Sequence, residues 1–228
     1  MKSPSRIELK NELITEFSNG NKKREVGRYS VSQIYAILEG WISPEQYIEG
    51  ETMDFPQMFN CWYGAGKHKQ IEPLLKAKGY ETEIKKEYDL GDFKIVGICD
   101  FMKDDMVGDL KTSLEPIGEA KKWSLFQVKI YCSVFEKATG IIYEPMLVKE
   151  QVYNRMGYPK TQVKDFYLKE IGKVERNDTW FKNKMGELRE FHNKMLLLVA
   201  KDTKTSQRGK QSDKTTLQLT NQLTSPTN

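Results

Sequence analysis

The sequence predicts an α/β or α+β domain, a β-sheet built around an antiparallel meander and flanked by helices. Three observations predict it. Before residue 80, apolar side chains recur at helical spacing between cap and stop signals. Residues 82–112, TEIKKEYDLGDFKIVGICDFMKDDMVGDLKT, instead alternate and favour β-branched side chains, with turn residues at two points. Helical periodicity then returns twice, around one further apolar stretch.

Taken in order, residues 5–17 place Ile7, Leu9, Leu13 and Phe17 on one helical stripe, followed by a loop in NGNKKREVG. Ser30 is placed to cap a short helix that stops at Gly40. Ser43-Pro44-Glu45 is a second start signal, a cap followed by proline at the first helical position. Residues 55–79 read as a helix bent or restarted at Pro73 and ended by Gly79. The meander turns at Leu90-Gly91-Asp92 and Lys103-Asp104-Asp105. A helix from about 117 to 137 puts Ala120, Trp123, Gln127, Ile130, Tyr131 and Val134 on one face. Residues 141–154 read as another strand or two, and Asp178 caps a long amphipathic helix. From about 202 the chain is Thr, Ser, Gln, Asn and Lys, which predicts a disordered polar tail. The expected organisation is an N-terminal helix and loop over 1–28, one domain over 29–200 and the tail over 201–228.

Composition narrows the class. With 38% hydrophobic and 30% charged residues in 228, the chain is of the soluble globular type with enough length for a real core. No apolar run approaches the ~18 residues that span a bilayer. The first residues, MKSPSRIELKNELITEF, lack a signal-peptide apolar region, so a cytoplasmic, membrane-free protein is expected. Cys61, Cys99 and Cys132 are widely spaced and predict reduced core thiols. The net charge is +4, but five basic and two acidic residues from Lys201 onward carry +3 of it, leaving +1 for the first 200 residues. Phosphate affinity in the folded part must therefore come from local groups, such as Lys67 with Lys69 or Lys121 with Lys122.

The meander raises the chemical question. Asp100 ends an apolar run, and Asp109 and Lys111 bracket Leu110 on the next strand. Residues two apart on a strand point to one face, and strands joined by a short turn are neighbours, so Asp100 can lie across from Asp109. Adjacent carboxylates raise each other's pKa unless something positive intervenes. Mg²⁺ suits two carboxylates, a backbone carbonyl and a phosphate, and Lys111 on the same face would hold or activate a water against that phosphate. A solvated acidic hairpin is the plainer reading. It is adopted for Asp104 and Asp105, and on spacing alone it stays open for the other three. His68 sits in GAGKHKQIE, with Gly64 one turn before and Glu72 one turn after on the same helix face.

In order, GxxxH (Gly64, His68), GxxD (Gly97, Asp100), DLK (Asp109, Leu110, Lys111) and QxxxY (Gln127, Tyr131) resemble the RecB-like branch of the PD-(D/E)XK nuclease superfamily. That branch includes Cas4 nucleases, AddAB and RecB nuclease domains and phage exonucleases. YSVSQIYAILEGWISPEQY, residues 29–47, is similar to the opening motif of the branch. The resemblance covers about residues 29–153. It implies an α/β restriction-endonuclease-like core with a mixed β-sheet, and a Mg²⁺- or Mn²⁺-dependent deoxyribonuclease in phage or mobile-element recombination or repair. It implies His68, Asp100, Asp109 and the Leu110 carbonyl as metal ligands, with His68 tilting preference toward Mn²⁺. Lys111 would be the catalytic lysine, supported by Gln127 and Tyr131, with Glu72 a partner of His68. Lys67, Lys69, Lys121 and Lys122 would line the path of the DNA. A single-strand-annealing or other recombination protein would be a companion. Iron–sulfur members carry a cysteine in the opening motif and a C-terminal cluster. Trp41-Ile42-Ser43-Pro44 has none, and no cysteine follows Cys132, so no cluster is expected. A non-catalytic nucleic-acid-binding module retaining the fold, and a scaffold with a coincidental acidic hairpin, are the alternatives.

Overall fold

A computed structural model describes residues 24–50, 55–113 and 115–223, with backbone alone from 202. The expected helix at 5–17 lies outside these residues. A short strand, β1 (Arg28–Ser30), leads directly into α1 (Val31–Leu38), with Ser30 at its N-cap position. In α2 (Pro44–Glu49) the start signal is a full capping box: Ser43 Oγ accepts from Gln46 N, and the Gln46 side chain accepts from Ser43 N. The long helix α3 (Phe55–Ala77) runs through Pro73 unbroken, without a restart there.

The meander is β2 (Glu81–Asp89), β3 (Lys94–Lys103) and β4 (Met106–Leu110), antiparallel as expected. After it come α4 (Lys122–Phe135), β5 (Thr139–Tyr153), β6 (Pro159–Glu175) and α5 (Asp178–Leu223). Two strands escaped the sequence reading. β1 has three residues, too few to show a period, and β6 has its alternation broken by register shifts near Ile142/Tyr143 and Val148/Lys149. The helix expected from about 117 begins at Lys122, because Ala120 N is drawn to Ile171 O on β6 and holds the preceding residues as loop. The backbone of α5 continues through 202–223, where composition predicts a polar tail. Apart from Gly209 no residue there breaks a helix, and the next proline is Pro226. Cys99 and Cys132 are buried, whereas Cys61 is exposed on α3, so the expectation of three core thiols is corrected for that residue.

The sheet is mixed. β2 pairs with nearly all of β3 on one edge. β1 (parallel, at Lys94–Val96) and β4 (antiparallel, at Phe101–Lys103) must therefore share the other edge. Residues 97–100 of β3 thus have no strand partner on that edge: the sheet forks there. The order continues β4-β5-β6, with β5 parallel to β4 and antiparallel to β6.

Alternation also breaks at the fork. Ile95 and Cys99 pack in the cluster with Ile130 and Val134 of α4, but Phe101, two residues on, packs with Ile71 and Leu75 of α3. On β2, Ile84 joins the α4 cluster while Thr82 donates to Glu72 of α3. Both strands therefore swap faces between these positions without a change of register. The residues in between are Glu83 and Asp100, which face each other. Glu83 has φ +53, the left-handed region that costs a non-glycine residue about 1 kcal/mol or more.

Candidate active site

The fork opens into a cavity of about 600 Å³ whose lining includes His68, Ile98, Asp100, Asp109, Gln127 and Tyr131. Each arrives for a local reason. Gly64 of α3 lies against the chain after β4, where a Cβ would make an ordinary 3.5 Å contact with Thr112 Oγ1. One turn later, His68 Nδ1 lies 3.2 Å from Asp100 Oδ1. The other oxygen, Asp100 Oδ2, accepts from Leu110 N at 2.5 Å, so this carboxylate stitches across the fork where no ladder hydrogen bond forms.

Asp109 is 5% exposed. Its Oδ1 accepts from Gln127 Nε2 at 3.3 Å. Its Oδ2 lies 2.7 Å from Lys111 Nζ but receives no hydrogen bond of good geometry, leaving an acceptor unsatisfied in the interior. Lys111 follows the end of β4, where its N–H extends the ladder to Tyr143 O at 2.9 Å. Its ammonium is 4.6 Å from the centre of the Trp123 ring and donates to Gln127 Oε1 at 3.4 Å. Gln127 is fully committed: its oxygen serves Lys111, and its two amide hydrogens serve Asp109 and Tyr131 Oη (2.8 Å). Tyr131 in turn donates to Ile98 O at 2.6 Å, supplying one of the hydrogen bonds that the fork denies to β3.

Electrostatics follow from this burial. Desolvation raises the Asp109 carboxyl to about 6, opposed by Lys111 and assisted by the charge of Asp100. Burial by itself would lower His68. The hydrogen bond and charge of Asp100, with Asp109 and Glu83, outweigh it and raise the imidazole above its ordinary value. Burial, then Asp100, raises Glu83, and burial, then Asp109, raises the Tyr131 phenol. Asp109 and Glu83 are thus both held above the usual carboxyl range, chiefly by burial, and positive charge beside such groups favours their ionised form.

His68, Glu83 and Asp100 each offer a ligand atom within 4.8 Å of the others, a donor set of one imidazole and two carboxylates that fits a divalent cation. Asp109, with its unsatisfied oxygen, lines the same cavity. The structure thus brings together His68, Asp100, Asp109, Lys111, Gln127 and Tyr131, and it adds two residues that sequence reasoning missed. Glu83 looks like one more solvated charge in an alternating strand, and only its position opposite Asp100 distinguishes it. Trp123 looks like one member of a helix stripe. The Leu110 side chain is in the α3 cluster, with its main chain between Asp109 and Lys111. Glu72 does not reach His68: it accepts from Lys76 (2.7 Å) and Thr82 (3.1 Å).

The four lysines expected along a DNA path are spread around the site. Lys67 Nζ is 5.2 Å from the centre of the Tyr63 ring and lines a neighbouring cleft, and Lys121, at the N-cap of α4, lines a groove with Lys111. Lys69 is exposed, and Lys122 is 4.0 Å from Glu39.

No family model and no curated protein match this sequence. Solved structures do. The chain is similar to SSO0001, with TM-score 0.52 and 18% identity over 86% of this chain and 87% of that one. It is similar to an alkaline exonuclease, LHK-Exo from Laribacter hongkongensis, with TM-score 0.53 and 10% identity over 87% of this chain and 98% of that one. The same exonuclease in complex with dAMP gives TM-score 0.50 and 14% identity over 78% and 95%. At these identities the likeness is one of fold: a mixed sheet flanked by helices, in the arrangement of these proteins.

Proposed function

We propose that the chain is a divalent-metal-dependent deoxyribonuclease, an exonuclease that hydrolyses phosphodiester bonds in DNA recombination or repair of a phage or mobile element. The carrying observation is the convergence of His68, Asp100 and a buried, under-satisfied Asp109 beside Lys111, in a cavity opened by the forked sheet. Fold likeness to a named exonuclease supports the reading.

His68, Asp100, Asp109 and the Leu110 carbonyl would hold Mg²⁺ or Mn²⁺, and Glu83 is the additional donor this chain offers. A divalent cation there supplies charge neutralisation of the scissile phosphate and acidification of an attacking water. Lys111 contributes a fixed positive charge against the phosphate. Trp123 and Asp109 hold its ammonium on two sides, and Gln127 sets its direction. Tyr131 fixes Gln127 and the backbone of the fork, making both positioning residues. Contact with the regular phosphate backbone requires no base reading.

The test is degradation of linear and circular DNA while Mg²⁺ or Mn²⁺ is titrated. Wild type should degrade linear DNA only with metal, and Asp109→Ala and Lys111→Ala should each lose about 10²-fold or more in rate. Protection of the circle marks an exonuclease. DNA binding without metal-dependent cleavage, or equal cleavage by both variants, would instead favour a non-catalytic module.

A further inference from the structure

β4 pairs with β5 only through Tyr143. Beyond it, β5 and β6 continue together as a two-stranded ribbon to Tyr153 and Pro159. Ten residues of strand, 144–153, project roughly 30 Å, about one turn of duplex DNA. From Leu147 outward the ribbon is mostly exposed, so it buries little of its own apolar surface. Its tip is nevertheless closed by side-chain-to-backbone hydrogen bonds. Asn154 Oδ1 accepts from the backbone N of both Met156 and Tyr158 at 2.9 Å, and Gly157 takes φ +79 to close the turn. This hydrogen-bonded turn presents Tyr153 (71% exposed), Met156 (82%) and Tyr158 (65%). Large apolar side chains gathered at one exposed tip form the kind of patch that marks a binding surface.

Charge indicates what does. Within 147–166 there are four basic residues (Lys149, Arg155, Lys160, Lys164) and two acidic ones (Glu150, Asp165), a net of +2. Glu150 is taken by Lys164 at 3.3 Å, and among the described residues no carboxylate pairs with Lys149, Arg155 or Lys160. The base of the ribbon is continuous with the candidate active site. Pro145, Leu147 and Phe166 share a cleft of about 480 Å³ with Lys67, the neighbour of His68, and with Thr112, the neighbour of Lys111. A second copy of the chain is a poor occupant. The strand edges carry Pro145 and Pro159, Lys160 and a bulge near Lys164, features that discourage edge-to-edge pairing.

We infer that the β5–β6 ribbon is a DNA grip that lies along the duplex beside the cleavage site, with its basic residues on phosphates and its aromatic tip in a groove. A two-stranded ribbon fits the major groove, and cations there bind by releasing counterions. The inference rests on the nuclease reading for its substrate, and the test separates the two. The test pairs equilibrium binding of a labelled 30-base-pair duplex in Ca²⁺ with Mn²⁺-dependent hydrolysis of thymidine 5′-(p-nitrophenyl phosphate), which is too small to reach the ribbon. The variants are Lys149→Glu/Arg155→Glu/Lys160→Glu and Tyr153→Ser/Tyr158→Ser, with thermal unfolding to verify that each is folded.

The charge-reversed variant should lose at least tenfold in duplex affinity, and its slope of log affinity against log salt should fall by roughly 2 to 3. The tyrosine variant should lose about tenfold with its salt slope unchanged, because stacking and groove contact release no counterions. Both should hydrolyse the small ester as wild type does. Duplex affinity within twofold of wild type in both variants would overturn the grip. So would an oligomer that the variants convert to monomers with unchanged affinity per subunit. Ribbon-dependent binding without hydrolysis of ester or DNA would keep the grip and remove the nuclease.

Discussion

Asp109 is where burial and charge conflict most openly. Its folded-state carboxyl, raised to about 6, binds a proton more tightly than the unfolded chain does. Its stabilising contribution is therefore present in acid and lost as pH rises through about 6. Asp109→Asn should raise the metal-free unfolding temperature at pH 7.5, with the gap closing at pH 4.5. Divalent metal should stabilise wild type more than the variant, and scanning calorimetry in chelator and in Mn²⁺ checks both. Glu83 makes the same trade through its backbone. Glu83→Gly should relieve the positive φ and raise the unfolding temperature by roughly 2–4 °C, the equivalent of about 1 kcal/mol. It should weaken Mn²⁺ binding by about tenfold, and Glu83→Gln, measured by calorimetric titration, should show the affinity loss without the full stability gain. At this scale the DLK and GxxxH residues were legible because their chemistry is unusual for strand and helix interiors. Glu83 was not, because nothing local separates a glutamate placed beside His68 and Asp100 from a solvated one.

At the scale of elements, the site depends on how β3 and β4 meet. A Cβ on Gly108 would come within 1.9 Å of the Phe101 ring, so glycine lets this ring lie across the pair and lock the register Phe101↔Gly108. That register sets Asp100 opposite Asp109. Gly108→Ala should destabilise by about 3 kcal/mol or more through overpacking, read as a lower denaturation midpoint in urea with unchanged slope. The capping box and proline of α2 and the alternation of the meander could be read because each signal is local, and α1 lies where expected although the Ser30 hydroxyl pairs with Ser32 and makes no cap hydrogen bond. The fork could not. It comes from β1, three residues long, taking one end of an edge that β4 takes at the other, and pairing between residues some 65 apart has no local trace. The face swap at Glu83 and Asp100 and the bulges of β6 are likewise departures from period two that sequence periodicity averages away.

Across the whole molecule, the sheet separates the apolar cluster under α3 from those packed on α4 and α5, and the cavity opens where strand pairing lapses between them. Among the described residues no helix is long and apolar enough to cross a membrane. The fork gives the site its properties: backbone groups freed from the ladder, side chains recruited to satisfy them, and a hollow large enough for a cation and a phosphate. The central claim is that this hollow holds a divalent ion at the meeting point of α3, β3 and β4. The most direct measurement is anomalous diffraction from crystals soaked in Mn²⁺. The account predicts a peak about 2.0–2.2 Å from ligand atoms of His68, Asp100 and Asp109, absent in Asp109→Ala crystals. An empty cavity in wild-type crystals that still cleave DNA with Mn²⁺ would contradict it.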